Sequence, residues 1–487
     1  MIKLLSRIRI MSESKKSGIV YMLSSLASKG LIFLTVPIFT RIMPSSEIGK
    51  INLYNSWFSL VCIFSTLSLT SGGYQLALKE FKNDKDKYES SVYSLVILMT
   101  SVVALLYILN PTFWENLFGL SRKFMVMLVI GLFLTPAQDF WMTRQRYDYR
   151  YKMSSCVTLL FTFGAVALSV YAVLNCKTDE SAWFRLLANN LVMYGVALLL
   201  GIHILKKGKC FYKKQYWTFS LSLSLPLVGH AIAKQILDVS DRIMINRFVG
   251  SSAVGIYSTL YSVSSLSLIV WNAINGAYIP YLYKNIDNCN ECNNIRKTSS
   301  TLLSIYIFIA FIMILLAPEI VRIMATQEYY EAVYIMPPIA MGVVLTAVSN
   351  MYSNILIFLK KTKVIMLASG AASAVNVILN FVFIPKFGYQ AAAYTTLVAY
   401  IVMAIIESGV ATIYYKKNAN SKMIYDNKLI LSLCIGTTLL AFIAGGLYKT
   451  QVLRYIVCLG CLFVIGIWYK RKLRTINRYL NEENIDG

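Results

Sequence analysis

Four ionisable residues follow one another at helical spacing in an otherwise apolar segment: His230, Lys234, Asp238 and Asp241. Intervals of four, four and three residues place their side chains on one face of an α-helix. A charge at the bilayer centre costs about 3 kcal/mol or more unless it faces protein or water, so we expect this face to line a hydrated cavity. Lys234 is then a candidate for binding an anionic substrate, and the other three are candidates for coupling or gating. A structural Lys234–Asp238 ion pair is an equally good interpretation.

A second intramembrane lysine, Lys29, occupies the equivalent place in an internal repeat. The stretch RIMPSSEIGKI at 41–51 is matched by RFVGSSAVGIY at 247–257, an offset of 206 residues. The same offset carries Lys29 to position 235, next to Lys234. Matching lysines in the first helix of each half indicate a positively charged chamber between two related lobes. A chance match between two turns containing serine and glycine is the alternative.

Further polar residues complete the candidate substrate site. Asn376 and Asn380 share one face of an apolar segment, Asn272 lies in another, and Arg185 lies near the end of a third. Amides suit sugar recognition and basic groups suit phosphate, so the cavity could take a phosphorylated glycan. Alternatively, the asparagines hold helices together and Arg185 extends to the membrane surface.

The composition requires these residues to be positioned by membrane-spanning helices. The 487 residues are 57% hydrophobic and 14% charged, which would give a soluble protein an unusually apolar surface. Apolar stretches of about 20 residues recur without strand-like alternation, so we predict an all-α, polytopic membrane protein. The fourteen predicted spans are 17–43, 48–72, 90–109, 122–141, 153–174, 182–205, 217–246, 252–283, 299–317, 331–358, 363–384, 390–415, 428–448 and 451–470.

The spans divide into two similar halves and an extra pair. We predict a cytoplasmic tail at 1–16, a six-helix N-terminal lobe at 17–210, a six-helix C-terminal lobe at 211–418, two more transmembrane helices at 419–472 and a cytoplasmic tail at 473–487. Because an even number of spans per repeat preserves orientation, the lobes should be related by an axis along the membrane normal.

Lysine and arginine are distributed unequally between the two sides of this bundle. With the N-terminus in the cytoplasm, 33 of the 47 basic residues fall in the inner loops and tails and 11 in the outer loops. Both termini are therefore predicted to be cytoplasmic. The net charge of +24 reflects this topology and suits an anionic inner leaflet. No loop is long enough to form a nucleic-acid-binding domain, so nucleic acid is not an expected partner.

The sequence indicates neither catalysis nor a metal site. No GxxxxGK[ST] motif occurs, and Cys289 and Cys292 lack the two further ligands that zinc would need. We predict a protein that is not an enzyme, without catalytic residues, metal or cofactor, although a proton or a sodium ion could be the coupling ion. Asp139 and Glu407 lie toward predicted helix ends, where we expect ion pairs at the membrane interface.

Three stretches resemble one family of membrane transporters. They are PIFTRIMPSSEIGKINLY at 37–54, DRIMINRFVGSSAVGIYSTLYS at 241–262 and IPKFGYQAAAYTTLVAY at 384–400. With fourteen spans and cytoplasmic termini, they resemble the Wzx-type polysaccharide flippases, the O-antigen and capsule repeat-unit translocases. These belong to the multidrug/oligosaccharidyl-lipid/polysaccharide exporter superfamily, so the resemblance implies a two-lobed fold similar to the multidrug and toxin extrusion transporters.

The resemblance also implies a function. Such a protein moves undecaprenyl-pyrophosphate-linked oligosaccharide from the cytoplasmic to the periplasmic leaflet of the bacterial inner membrane by alternating access, in lipopolysaccharide or capsule biosynthesis. Membrane lipids, a glycan polymerase and chain-length proteins are the implied partners. Cationic cavity residues are a theme of the family, which Lys29 and Lys234 match by helix and depth. The two C-terminal helices are similar in number to those that form a lipid-tail groove in lipid II flippases.

Three other functions stay open at this point. A multidrug or organic-cation antiporter would share the fold, but its cavity should carry unpaired acids. A lipid II flippase would differ only in cargo. A membrane glycan polymerase would need a larger outer loop than those around 110–121 and 318–330.

Reporter fusions test the predicted orientation. Because positively charged loops are retained in the cytoplasm, alkaline phosphatase fused after residue 487 should be inactive, and green fluorescent protein at the same place should fluoresce. Fusions after Cys176, in a predicted outer loop, are the control and should show the opposite pattern. Phosphatase activity at the C-terminus would contradict the orientation.

Overall fold

The computed structural model describes residues 13–70, 72–287, 292–419 and 424–463, and in these ranges it contains helices and turns but no β-strand. Eleven described segments are long and apolar enough to span a membrane. The predicted all-helical, polytopic membrane fold is confirmed. The count of fourteen spans stays a prediction, because two further long helices are less apolar and the last predicted span is only partly described. Cys289 lies outside the described residues.

The N-terminal lobe is built from five long, largely apolar helices and four shorter or more polar ones. They are α1 (Glu13–Leu34), α2 (Val36–Ile42), α3 (Ser45–Thr66), α4 (Gly72–Glu80), α5 (Lys85–Leu109), α6 (Pro111–Phe118), α7 (Arg122–Tyr147), α8 (Tyr151–Leu174) and α9 (Ser181–Gly208). Helix α9 packs against α5, α7 and α8, and α1 packs against α8. The break between α1 and α2 precedes Pro37, which lacks the backbone donor that a continuous helix needs.

The C-terminal lobe repeats this order. Its helices are α10 (Lys214–Phe248), α11 (Ser251–Ser264), α12 (Ser267–Asn285), α13 (Cys292–Leu315), α14 (Ala317–Met324), α15 (Met336–Phe358), α16 (Thr362–Phe387) and α17 (Gln390–Ala419). A 3₁₀ segment, Gln327–Ile335, joins α14 to α15. The offset of 206 residues also relates the short α6 to α14, since both follow a long helix and begin at positions 111 and 317. Helix α15 is buried along most of its length and packs against α12, α13 and α17, so it forms the centre of this lobe.

Two more helices lie beside the C-terminal lobe: α18 (Asn427–Gly446) and α19 (Gln451–Phe463). Helix α18 packs against α13 and α15. Helix α19 is tied to α14 by an ion pair between Arg454 and Glu319, and Arg454 is only 2% exposed. The Tyr455 hydroxyl donates to the same carboxylate at 2.8 Å. The extra pair is therefore an extension of one lobe.

The duplicated turns pack directly against each other and join the two lobes. Gly49 lies in the first turns of α3 and Gly255 in those of α11. A Cβ on Gly49 would lie 1.7 Å from the Ser251 carbonyl oxygen, and a Cβ on Gly255 would lie 2.0 Å from the Ser45 carbonyl oxygen. The repeat is thus a reciprocal helix crossing at the predicted outer end, and only glycine fits at its centre.

Hydrogen bonds surround this crossing. The Ser45 and Ser252 hydroxyl oxygens are 2.6 Å apart, and Ser45 also donates to the Glu328 carboxylate. The Thr40 hydroxyl donates to the Met324 carbonyl oxygen at 2.9 Å. The predicted outer end is therefore closed in this structure.

Helix α10 contacts both lobes. In its first half, the Ser220 hydroxyl lies 2.7 Å from the Tyr88 hydroxyl, and the Trp217 indole donates to the Ser91 carbonyl oxygen at 2.9 Å. Its second half packs along α16 of its own lobe. Pro226 lies between these halves and removes one backbone donor, which permits a bend there.

Acidic residues inside the helices have two kinds of surroundings. Arg144 forms ion pairs with Asp86 at 2.7 Å and Glu89 at 2.6 Å, at the predicted inner end of the N-terminal lobe. Asp139 and Glu407, predicted to form interfacial ion pairs, form none with the basic residues that the structure describes. That prediction was wrong because both helices continue for at least two turns past these acids, so neither acid lies at a helix end.

Alanine at either crossing glycine should destabilise the protein. Gly49→Ala and Gly255→Ala force a methyl group against backbone, which should cost about 1–3 kcal/mol of unfolding free energy. Thermal unfolding of the purified protein in detergent measures this loss. Gly195→Ala is the matched control, since nothing lies within 4 Å of its added Cβ. Equal stability of all three variants would contradict the close crossing.

Candidate functional site

A buried carboxylate, Asp241 of α10, is held by side chains from three other helices. Only 1% of the residue is exposed. The hydroxyls of Tyr257 on α11 and Thr396 on α17 both donate to Oδ2, Thr396 at 3.1 Å. The Asn380 amide on α16 donates to Oδ1 at 3.4 Å. Both carboxylate oxygens are satisfied, which is the condition for burying an acid away from water.

Two asparagines of α16 extend this arrangement into a network. The Ser240 hydroxyl donates to Asn376 Oδ1 at 2.6 Å, and Asn376 Nδ2 donates to Thr396 Oγ1 at 3.1 Å. Asn380 Nδ2 donates to Asn376 Oδ1 at 3.0 Å, and Asn380 Oδ1 accepts from Thr395. We call this set the Asp241 cluster: Ser240, Asp241, Tyr257, Asn376, Asn380, Thr395 and Thr396.

The cluster joins three residues for which the sequence predicts two different roles. Asp241 is a coupling candidate, whereas Asn376 and Asn380 are candidate substrate ligands. Both asparagines are 0% exposed and bond within the lobe, so their placement favours a role beside Asp241. Contact with substrate stays a prediction.

The chemistry of the Asp241 cluster suits ion exchange. Carboxylate, hydroxyl and amide oxygens are the ligands that hard cations prefer. A proton or a sodium ion could therefore bind at this site. Among the described residues, no group of three or more His, Cys, Asp and Glu side chains is arranged so that it could hold a metal ion.

Asp238 lies one turn before the cluster, beside a basic group and two tyrosines. Arg242 donates to the Asp238 backbone carbonyl, and its guanidinium lies 4.8 Å from the centre of the Tyr261 ring. The Tyr261 and Tyr400 hydroxyls are 3.4 Å apart. Lys234 precedes Asp238 by four residues and Arg242 follows it by four, but no ion pair within 4 Å joins Asp238 to Lys234 in the part of the chain that the structure describes.

The polar face of α10 does not line one cavity, which corrects the sequence-based expectation. Lys234 is exposed, His230 and Asp238 are partly buried, and Asp241 is enclosed by α11 and α17. The spacing of residues in the sequence determines which of them share a face of the helix. It does not determine which part of that face is covered by neighbouring helices. His230 Nδ1 is buried without a hydrogen-bond partner among the described residues.

The two matched lysines are both exposed, although they lie well inside their helices. Beside Lys234, the Gln235 amide donates to the Ser59 hydroxyl of α3 at 2.7 Å, so this part of α10 adjoins the other lobe. Lys29 lies one turn before Phe33, which packs against a hydrophobic cluster of the C-terminal lobe. Each lysine therefore lies close to where its helix approaches the opposite lobe.

Arg185, on α9 near the predicted outer end, is packed rather than extended to the surface. Its guanidinium carbon lies 3.5 Å from the centre of the Phe39 ring, and Nη1 lies 3.8 Å from the Met43 sulfur. No carboxylate lies within 4 Å of it among the described side chains. It is a cation held between α9 and α2 with no anionic partner in the described parts of the chain.

Asn272 is exposed on α12, together with Ala273, Gly276 and Ala277. These small residues contrast with the large apolar side chains that helices usually present to lipid. Among the described residues, Asn272 forms no hydrogen bond with the basic residues that are predicted to bind the substrate.

Sequence reasoning missed Tyr257, Thr395 and Thr396, although each is part of the Asp241 cluster. None is ionised at neutral pH, and hydroxyl side chains are common in transmembrane helices. The available signals were their places inside quoted stretches, Tyr257 at 241–262 and the adjacent pair Thr395–Thr396 at 384–400.

An apolar cavity of about 480 Å³ lies between α15, α17 and α18. Leu345, Ile405 and Leu439 are among its lining residues. Its polar groups include Tyr352 and Asn427, and the Tyr352 hydroxyl donates to the Asn427 side chain at 2.8 Å. The cavity is separate from the Asp241 cluster and suits a hydrocarbon chain.

Two family models match the chain. One, described as polysaccharide biosynthesis protein, matches residues 14–286, and one described as MatE matches residues 226–382. The chain is also similar to the probable low-salt glycan biosynthesis flippase Agl15 of Haloferax volcanii. The two are 21% identical over 397 residues, which cover 81% of this chain and 82% of that protein.

Two solved structures share the fold. The lipid II flippase MurJ in an inward closed conformation gives a TM-score of 0.66 at 15% identity, covering 93% of this chain and 100% of that one. An inward-facing multidrug resistance MATE family transporter gives 0.60 at 11% identity, covering 81% and 96%. At such identities the likeness shows the two-lobed fold alone.

Replacing the buried acid should destabilise the C-terminal lobe. Asp241→Asn removes the charge that three donors share, and we expect a loss of about 1–3 kcal/mol in unfolding free energy. Tyr257→Phe should then cost less in the Asp241→Asn background than alone, because the two residues interact. Asp179→Asn, at an exposed acid, is the control. Additive effects at 241 and 257 would contradict the hydrogen bond.

Proposed function

The chain belongs to the polysaccharide biosynthesis protein family, within the exporter superfamily that its resemblance implied, and from this premise we propose that it is a flippase for a lipid-linked oligosaccharide. The cargo we propose is an undecaprenyl-pyrophosphate-linked repeat unit. It would move from the cytoplasmic to the periplasmic leaflet of the inner membrane, where a glycan polymerase and chain-length proteins would use it. Both termini of the flippase would be cytoplasmic.

One observation carries the choice of an anionic cargo. Lys29, Lys234 and Arg185 lie within membrane helices, and no carboxylate lies within 4 Å of any of them among the described residues. An unpaired cation in this environment is costly, and such residues usually mark a functional site. Ammonium and guanidinium groups bind phosphate oxygens through charge-assisted hydrogen bonds, so these three residues suit the pyrophosphate.

The remaining parts of the cargo have candidate sites of matching chemistry. Asn272 and the exposed small residues around it would leave room for a sugar and offer it an amide. The apolar cavity between α15, α17 and α18 would hold part of the polyprenyl chain. The polyprenyl chain would thus be bound by the C-terminal lobe together with helix α18.

The closed crossing at Gly49 and Gly255 supports entry of the cargo from the inner side. Since the predicted outer end is shut, cargo would enter from the inner side, and the lobes would part at the crossing for release. A ligand shifts such an equilibrium only by its different affinity for the two states. Ion exchange at Asp241 would supply that difference for the coupling ion, because four helices of one lobe meet at this acid.

Export of an organic cation is the second candidate function. The observation that favours it is Asp139, an acid on α7 that is exposed and unpaired among the described residues. It is a single group near the predicted inner end, whereas the exposed charges deeper in the helices are basic. A lipid II cargo would use the same basic residues, and rescue of a strain that lacks its own lipid II flippase distinguishes it.

Glycan export in cells tests the proposal. Deleting the gene should abolish the surface glycan, and the wild-type chain should restore it. Lys29→Ala, Lys234→Ala and Arg185→Ala should each lower export by about tenfold, since a charge-assisted hydrogen bond contributes about 1.5–3 kcal/mol. Lys82→Ala, at an exposed lysine in a predicted inner connection, should export normally.

Two results would contradict this assignment. Full export by the three variants at normal protein levels would remove the basic residues from the mechanism. Unchanged surface glycan after deletion, together with cation efflux by the purified protein in liposomes, would favour the second candidate.

A further inference from the structure

Glu407 of α17 is a second buried acid in the C-terminal lobe. Only 2% of it is exposed, and the Ser353 hydroxyl of α15 donates to Oε2 at 2.9 Å. It lies in the interface between two helices of the central core and does not line the apolar cavity next to it. None of the basic side chains that the structure describes forms an ion pair with it.

The helices packed around Glu407 carry almost no other charge. Along all of α15, the only titratable residue is Tyr352, whose hydroxyl donates to Asn427 instead. Helix α16 has no ionisable residue between Lys363 and Lys386. Apart from Glu407, the titratable residues of helix α17 are tyrosines and two lysines. The lysines are in its last turn, more than two turns beyond Glu407.

The charged groups of α10 that contact this face of α17 do so about two to three helical turns before Glu407. Thr396 contacts Asp241, and Tyr400 contacts Tyr261, beside Asp238 and Arg242. Glu407 follows Thr396 by eleven residues, which is about 16 Å along a helix. The charges at the Asp241 cluster therefore do not neutralise Glu407.

These positions share one face of α17. Intervals of four residues from Thr396 to Tyr400 and seven from Tyr400 to Glu407 are both helical repeats. Each contacts a different helix: Thr396 contacts α10, Tyr400 contacts α11, and Glu407 contacts α15. One face of α17 thus connects two buried carboxyl groups at different depths.

An unpaired carboxylate in an interior of low dielectric is held as the neutral acid. We propose that Glu407 is a proton-binding site of the transport cycle, an inference that rests on the proposed transport function. In the packed interface of α15 and α17, the carboxyl group keeps its proton. When these helices separate and water enters, the O–H bond breaks and the proton passes to water, leaving the carboxylate. No other reactant is needed.

Infrared spectroscopy of the purified, full-length protein in liposomes tests the protonation state without any cargo. At neutral pH, the wild-type protein should show a C=O band of a protonated carboxyl group that Glu407→Gln lacks. Glu80→Gln, at an exposed acid, is the matched control and should keep the band. Identical spectra of the wild type and Glu407→Gln would overturn the proposal, whatever the cargo proves to be.

Glycan export separates proton binding from a structural hydrogen bond. Glutamine keeps the size of Glu407 and can still bond to Ser353, but it cannot release a proton. Glu407→Gln should therefore reduce export to the level of the empty vector at normal protein abundance and unfolding temperature, whereas Glu407→Asp should keep part of it. Wild-type export by Glu407→Gln would overturn the proton-binding role. Loss of the infrared band with no glycan change on gene deletion would instead contradict the proposed cargo.

Discussion

The two lobes meet where α3 and α11 approach each other with no side chain between them. At Gly49 and Gly255, any added Cβ would overlap a carbonyl group of the facing helix. Lipid offers no hydrophobic force between helices, so close backbone packing and hydrogen bonds must hold them together. The serine hydroxyls around the crossing contribute those bonds. This contact sets how α1 and α10, which carry the matched lysines, stand relative to the opposite lobe.

Intramembrane charges in this chain fall into two groups with different physical roles. The basic residues Lys29, Lys234 and Arg185 have no carboxylate within 4 Å among the residues that the structure describes, and both lysines are exposed. The acids Asp241 and Glu407 are buried and accept hydrogen bonds from neutral groups. An anionic cargo would bind the first group. The second group suits small ions that change the packing of one lobe, so cargo and coupling ion would use separate sites.

The C-terminal lobe carries most of the features that an amphipathic cargo and its coupling would need. Its central helix α15 packs on one side against the face of α17 that bears Glu407, and on another it borders the apolar cavity. Helix α18 closes that cavity and adds no charged side chain to it. A shift of α17 against α15 would therefore change the surroundings of an acid and the shape of a lipid site together.

The sequence by itself determined the membrane class, the all-helical fold, the internal repeat and the intramembrane charges, because all of these follow from local composition, periodicity and spacing. It also placed Lys234 and Asp241 on one face of α10. Only the tertiary structure decided that Lys234 is exposed and Asp241 enclosed, since helices distant in the chain cover that face unevenly. For the same reason, Tyr257 and Thr396 could not be recognised beforehand as partners of Asp241: they are neutral side chains that acquire their role by packing against it.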